Sequence, residues 1–226
     1  MRIRAIDRRC GDDVFYLTKP DGKQIEDFRR RAGASDFTYP SVGATRTETL
    51  PSGYVVDRNR VALGTGRATF EKAVAALQRW EMFNLGWVKL MSQVPPQEGL
   101  VVAIRCSHLG FWSLNACRVI YVVNEIGGTT GDAAIPAGEA AAVSEGMITF
   151  GFGYGTLKDH AESGEERFLI QWDSKDDTVY YDILAFSKSA KLVVRMGYWF
   201  GRSLQLRFAR DSKQVMQRAV VGAENV

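Results

Sequence analysis

Apolar residues along this chain recur in two periods, and the order in which the periods change outlines the architecture. Residues 14–17 are a short apolar run closed by the turn signal Pro20-Asp21-Gly22, and residues 23–31 predict a short charged helix stopped at Gly33. A turn-rich connector over 33–53 carries Pro40, Gly43, Pro51 and Gly53. Residues 54–63 then read as a strand through Val55, Val56, Val61 and Leu63. Gly64-Thr65-Gly66 introduces an amphipathic helix with Thr65 as its N-cap, because Phe70, Ala73, Val74, Leu77 and Trp80 share one helical face. That helix stops before Gly86. Residues 87–91 are strand-like and are broken by Pro95-Pro96.

From there the period is mostly two. Residues 100–106, 114–125, 147–157, 166–172 and 178–186 read as strands, separated by Gly- or Asp-rich turns at 127–131, Gly138 and 173–177. Their spacing is that of an antiparallel meander. Residues 127–145, small and Ala/Gly-rich, read as a mobile loop. A final long helix is predicted from near 187–189, with Met196, Phe200, Leu204 and Phe208 as its apolar stripe and Gly197 and Gly201 one turn apart inside it. Strand, helix, about six strands and a long helix describe an α+β helix-grip plan, a curved antiparallel sheet wrapped around a C-terminal helix with a cavity between them.

Composition narrows this picture. The 226 residues are 46% hydrophobic and 24% charged, which excludes disordered, collagen-like and coiled-coil chains. A chain of this length buries enough surface for a core without disulfide or metal staples. Net charge is only +3, so no global field commits the protein to nucleic acid. The distribution is uneven, however. Residues 158–182 hold eight acidic against three basic side chains, and residues 188–218 hold eight basic side chains against Asp211 alone. Cys10, Cys106 and Cys117 form no CxxC pair, which fits buried thiols in a reducing compartment. The charged N-terminus lacks the apolar core of a secretory signal, and no run approaches the length of a membrane span. The expectation is a cytoplasmic protein.

The segment Phe150-Gly151-Phe152-Gly153-Tyr154-Gly155-Thr156-Leu157, with His160 and then Gly164-Glu165-Glu166-Arg167-Phe168, carries a family likeness. With Ala185-Phe186-Ser187-Lys188 it gives YGTL-x-x-H, GEE-x-F and AFS-[RK]. In these the chain resembles an uncharacterised domain-of-unknown-function family of bacteria and plants. Val42-Gly43-Ala44-Thr45, Leu63-Gly64-Thr65-Gly66 and Trp80-x-x-Phe83-x-x-Gly86-Trp87 extend the resemblance over residues 14–219. The family carries no activity with it. Its element order is similar to the START-like, pollen-allergen-like helix-grip superfamily, whose members commonly hold apolar ligands. The resemblance implies a single domain over 14–220, with residues 1–13 an extension and 221–226 a tail.

The candidate chemistry is sparse. Phe150, Phe152, Tyr154 and Thr156 share one strand face and Gly151, Gly153 and Gly155 the other, so something approaches the bare face closely: the C-terminal helix, a barrel bend or a ligand. Gly64-Thr65-Gly66-Arg67 reads either as a phosphate-holding helix N-terminus or as a tight turn with its cap. His160 with Glu162, Glu165 and Glu166 reads as an acid–base group, a metal site or a solvated turn paired with the basic helix. His108 is the only other histidine, and no two-His zinc spacing exists. Arg118, Glu125 and Asp182 are charges inside apolar strands, which must pair if they face inward.

The leading reading is therefore binding of a small, largely apolar molecule, with no cofactor. Trp87, Phe152, Tyr154, Tyr181 and Met196 would line its cavity, and Thr156, Arg118 and Asp182 would orient its polar end. A second reading is a cyclase, hydrolase or dehydratase using Tyr154, His160 and Glu166. A third is a nucleic-acid or anionic-lipid surface through Arg202, Arg207, Arg210 and Lys213, of which nucleic acid is the less expected partner.

Overall fold

The structure, a computed structural model, describes residues 15–125, 146–189 and 198–221, less the side chains of 198–200. Residues 1–13, the 127–145 segment, Met196, Gly197 and the Phe200 side chain lie outside that description. The described strands are β1 (Phe15–Tyr16), β2 (Val55–Thr65), β3 (Val88–Met91), β4 (Val101–Ser107), β5 (Trp112–Asn124), β6 (Met147–Thr156), β7 (Glu162–Asp173) and β8 (Thr178–Ser189). They form one antiparallel sheet in the order β2-β8-β7-β6-β5-β4-β3, with β1 also pairing β5. The helices are α1 (Gly22–Gly33), α2 (Ala44–Thr47), α3 (Gly66–Gln78) and α4 (Tyr198–Val221). The fold is α+β: the sheet curls around the C-terminal helix, which is the helix-grip arrangement.

Two boundaries differ from the sequence reading by three residues or more. Strand β7 opens at Glu162 rather than Glu166, because Glu162–Glu165 are already paired with Ser189–Phe186 of β8. The C-terminal helix does not begin near 187–189. Those residues end β8, where Ser187 has strand partners on both sides, Val55 and Gly164.

The concave face holds the larger core. Phe150, Phe152 and Tyr154 of β6, Phe168 and Ile170 of β7, and Tyr181 and Ile183 of β8 pack there against Phe70 and Leu77 of α3, Phe83, and Met216 of α4. Phe83 sits 5.3–6.1 Å, centroid to centroid, from the rings of Tyr154, Phe168 and Phe208. Each such buried ring contributes on the order of 1.5–3 kcal/mol. Tyr181 and Ser212 share a hydrogen bond of 2.9 Å that ties α4 to the sheet.

The convex face is covered by α1 and the connector that follows it. Asp21 and Gln24 close a reciprocal capping box at the start of α1, and Ile25, Phe28 and Ala32 bury against Ala103, Leu114, Ala116 and Leu157. A bulge at Ile120 divides β5 between the two faces: Val119 stands opposite Tyr154 and Tyr121 opposite Gly153. Val119 therefore joins the concave core, while Tyr121 turns outward to hydrogen-bond Thr45 at 2.7 Å.

Tyr121 and Tyr39 are what approach the bare glycine face at Gly153 and Gly155, while Gly151 is met by Phe168 and Leu169 of β7. A Cβ on Gly153 would stand 2.5 Å from the Tyr121 ring, and one on Gly155 would collide with the Tyr39 hydroxyl. The C-terminal helix packs on the other face of the sheet, where the aromatic half of the alternation supplies apolar area.

Candidate functional site

Strand alternation sends Glu165 and Glu166 through opposite faces of β7. On the convex side Glu165 accepts from Tyr39 Oη at 2.9 Å, Gly43 N at 2.7 Å, Thr45 N at 2.9 Å and the Thr45 hydroxyl. Arg167, two residues on and on the same face, donates to Thr45 O at 2.9 Å and pairs with Glu48 and Asp182. Together these side chains clasp the Val42-Gly43-Ala44-Thr45 loop to the sheet.

On the concave side a pocket of about 210 Å³ lies between the sheet and α4. Phe83, Trp87, Ile104, Ile183, Leu204 and Phe208 give it apolar walls. Tyr154 and Glu166 are direct cross-strand partners in it, and the phenol donates to Glu166 Oε2 at 2.8 Å. Burial pushes the Glu166 carboxyl up to about 8. The Tyr154 hydrogen bond opposes that rise, and the Glu162 and Asp57 carboxylates add to it. Burial also raises the Tyr154 phenol well above its ordinary range, reinforced by the Glu166 charge.

One end of the pocket is polar. Burial raises Glu162, which accepts from Gln205 Nε2 at 2.7 Å. Gln205 Oε1 in turn accepts from Arg202, which grips Asp57 through both guanidinium nitrogens. His160 Nδ1 lies 3.0 Å from Glu162 N and 3.1 Å from Glu162 O, and burial lowers the ring to about 4 against that backbone contact, so it is neutral at pH 7. His108 is 2.9 Å from Ser113 Oγ, and Asn115 bridges Ser113 and the backbone of Ala161. Both histidines of the chain thus line one pocket. Burial pushes the adjacent Cys106 thiol up to about 12, leaving it an unreactive thiol at neutral pH. No group of three His, Cys, Asp or Glu is placed to hold a metal among the described residues.

The residues singled out from sequence divide accordingly. Trp87, Tyr154, Thr156, His160 and Glu166 line the pocket. Trp87 is fixed there by its indole N–H, 3.0 Å from Asp211 Oδ2, and by Arg207 stacked 4.6 Å from its ring centre. Thr156 is occupied by the Gly164 backbone and the Thr38 hydroxyl. Phe152 and Tyr181 are buried in the concave core but do not line the pocket.

Arg118 and Asp182 stand away from it, because both are in convex phase. Arg118 donates to the carbonyls of Gly33 and Ser35 at the end of α1, and Asp182 pairs with Arg167. In the Gly64-Thr65-Gly66-Arg67 turn, the Gly66 N–H is spent on Asp177 O and Arg67 pairs with Glu71, so neither is left to hold an anion. The four cations of the third reading also have partners within the chain: Asp57 for Arg202, Asp211 for Arg207 and Arg210, and Asn59 for Lys213. Sequence reasoning passed over Asn115, Ser113, Asp57 and Gln205. No local signal marks them, since they meet only when β2, β5 and α4 come together.

A family model described as a domain of unknown function, DUF1990, matches residues 38–215. A UPF0548 protein of Dictyostelium discoideum is 34% identical over 94% of this chain and 99% of its own length. A UPF0548 protein of Deinococcus radiodurans is 29% identical over 91% of this chain and 98% of its own. Among solved structures, Ara h 8.0201 aligns over 75% of this chain and 99% of its own at TM-score 0.42 and 8% identity. Human STARD10 aligns over 92% and 82% at TM-score 0.41 and 12% identity. Likenesses this distant lend nothing to the choice of a ligand.

Proposed function

This chain belongs to the DUF1990 family, whose description assigns no activity, and from its own geometry we propose that it binds a small, largely apolar molecule between the sheet and the C-terminal helix. The observation that carries this is the aromatic-walled pocket with one polar end. An apolar cavity of roughly 150 Å³ accepts benzene, so about 210 Å³ suits a guest of about eight non-hydrogen atoms. That is smaller than a drug-sized ligand. The guest's apolar body would lie on Phe83, Trp87 and Phe208, and its polar group would meet Tyr154 and Glu166. Residues 14–220 would act as one domain, and the free cysteines Cys106 and Cys117 support a cytoplasmic setting. Native mass spectrometry of protein isolated from its own cells should show a discrete added mass lost on denaturation. Protein isolated without any such mass, and binding no member of an aromatic fragment library, would overturn the reading.

A catalytic reading has one observation in its favour. Tyr154 and Glu166 meet within hydrogen-bond reach in the pocket, and Glu166 has the raised carboxyl of a general acid. His160 lines the same pocket, but with Nδ1 against the Glu162 backbone and its ring lowered to about 4 it is a weak base, so Tyr154 and Glu166 carry this reading. The test is whether the extracted molecule, returned to the protein, is converted by wild type and left unchanged by Glu166→Gln.

A further inference from the structure

The charge pattern of the pocket wall says more about the guest than its size does. Asp57, Glu162, Glu165 and Glu166 line the pocket, the Glu165 carboxylate being taken up by Tyr39, Gly43 and Thr45, and no lysine or arginine is among the described residues lining it. Asp57 is neutralised by the two-pronged Arg202 contact. Glu162 has a neutral donor, Gln205. Among the described residues Glu166 has only the Tyr154 hydroxyl, on Oε2, so Oε1 accepts no hydrogen bond from them beside the apolar walls. A carboxylate in such a place is costly unless a proton or a cation neutralises it.

Resting on the reading of this pocket as a ligand site, we propose that its guest is a small organic amine, bound as the ammonium ion on Glu166 with its apolar body against Phe83, Trp87 and Phe208. The surrounding rings favour the same charge, since an ammonium near an aromatic face is attracted by the ring quadrupole. Size and charge together describe an arylalkyl or cycloalkyl amine of about eight non-hydrogen atoms. In the empty pocket Glu166 carries a proton at neutral pH. The amine enters already protonated and Glu166 releases its proton to solvent, so the bound state is an ion pair and one proton leaves per guest.

The groups that face Glu166 are consistent with that exchange. Tyr154 of β6, Cys117 of β5 and Tyr181 of β8 stay neutral because burial raises all three. Glu162 of β7 and Asp57 of β2 add negative potential, and Arg202 of α4 is committed to Asp57. His160 is neutral.

The experiment compares benzylamine with benzyl alcohol, which has nearly the same shape and no charge, by calorimetry on the full-length protein from pH 6 to pH 8. Benzylamine affinity should rise by about tenfold from pH 6 to pH 7 and by about fivefold from pH 7 to pH 8, because Glu166 must lose its proton to bind and the gain flattens as the pH reaches its pKa. Release of up to one proton per amine should appear as buffer-dependent heat. Benzyl alcohol affinity should not rise. In Glu166→Gln, benzylamine should bind at least tenfold more weakly and without the pH slope, while benzyl alcohol still binds. The wild-type slope stands as a test even if that variant does not fold. Benzylamine binding without a pH slope, or no more tightly than benzyl alcohol at pH 8, overturns the amine proposal and leaves the pocket a ligand site. Failure of both compounds to bind removes the ligand site and the amine proposal together.

Discussion

Glu165 and Glu166 are neighbours in sequence and opposites in environment. Glu165, on the convex face, is met by two backbone N–H groups, a phenol and a hydroxyl, all delivered by residues 39–45. Glu166, on the concave face, has one phenol and a carboxyl pushed up to about 8. A buried carboxylate supplied with donors from every side is a structural rivet. One supplied with a single donor beside an open volume keeps acceptor capacity that its neighbours do not fill. The difference of one strand position decides which role a carboxylate plays, because the pleat alone chooses the face.

The largest expected effect comes from removing the rivet. Glu165→Ala would leave Tyr39, Gly43 and Thr45 with buried, unmatched donors, at a cost of about 3–5 kcal/mol. Chemical denaturation would measure it, and the connector over residues 39–48 should gain hydrogen exchange first. A loss below about 1 kcal/mol would mean the clasp is incidental. A smaller effect is expected behind it, on the same face. Gly153→Ala places a Cβ 2.5 Å from the Tyr121 ring and should cost about 1–3 kcal/mol. Trimming the ring with Tyr121→Ala should make the two losses clearly less than additive in a double-mutant cycle. Additive losses would show that the glycine is needed for some other reason.

How far these roles were legible in the sequence follows from the range of each interaction. The meander and the α3 stripe were readable, because period-2 and period-3.6 patterns are local. The bare face of Gly151, Gly153 and Gly155 announced a close approach, but the approaching groups, Tyr39 and Tyr121, come from a distant connector and from across a bulge. That bulge at Ile120 shifts the phase of β5 midway, so the faces of Arg118 and Tyr121 could not be counted from one end of the strand. Arg118 and Asp182 suggested a pocket because charged residues in apolar strands need partners. The partners they found, carbonyls of the α1 terminus and Arg167, lie on the convex side. Glu166 was visible as a candidate and Glu162 as its companion. The neutrality of His160 was not visible, since it depends on burial produced by tertiary packing.

The smallest effect sharpens the comparison through pH. Glu166 has its folded pKa raised from the ordinary 4.5 to about 8, so between those values the folded protein holds a proton that the unfolded chain has lost. Its contribution to stability is full below about 4.5 and is lost as the pH rises toward 8. His160 runs the other way. Its folded pKa is lowered from 6.5 to about 4, so its contribution rises with pH across that interval and is constant above it. Between pH 6.5 and 8 the contribution of Glu166 therefore changes while that of His160 is nearly constant. The wild-type protein should lose about 1–2 kcal/mol over that window relative to Glu166→Gln, whose amide cannot titrate. Urea midpoints of the two proteins at a few pH values would measure this. Parallel curves would show that Glu166 is already ionised at pH 6.5, and that the concave carboxylate is as well supplied with partners as the convex one.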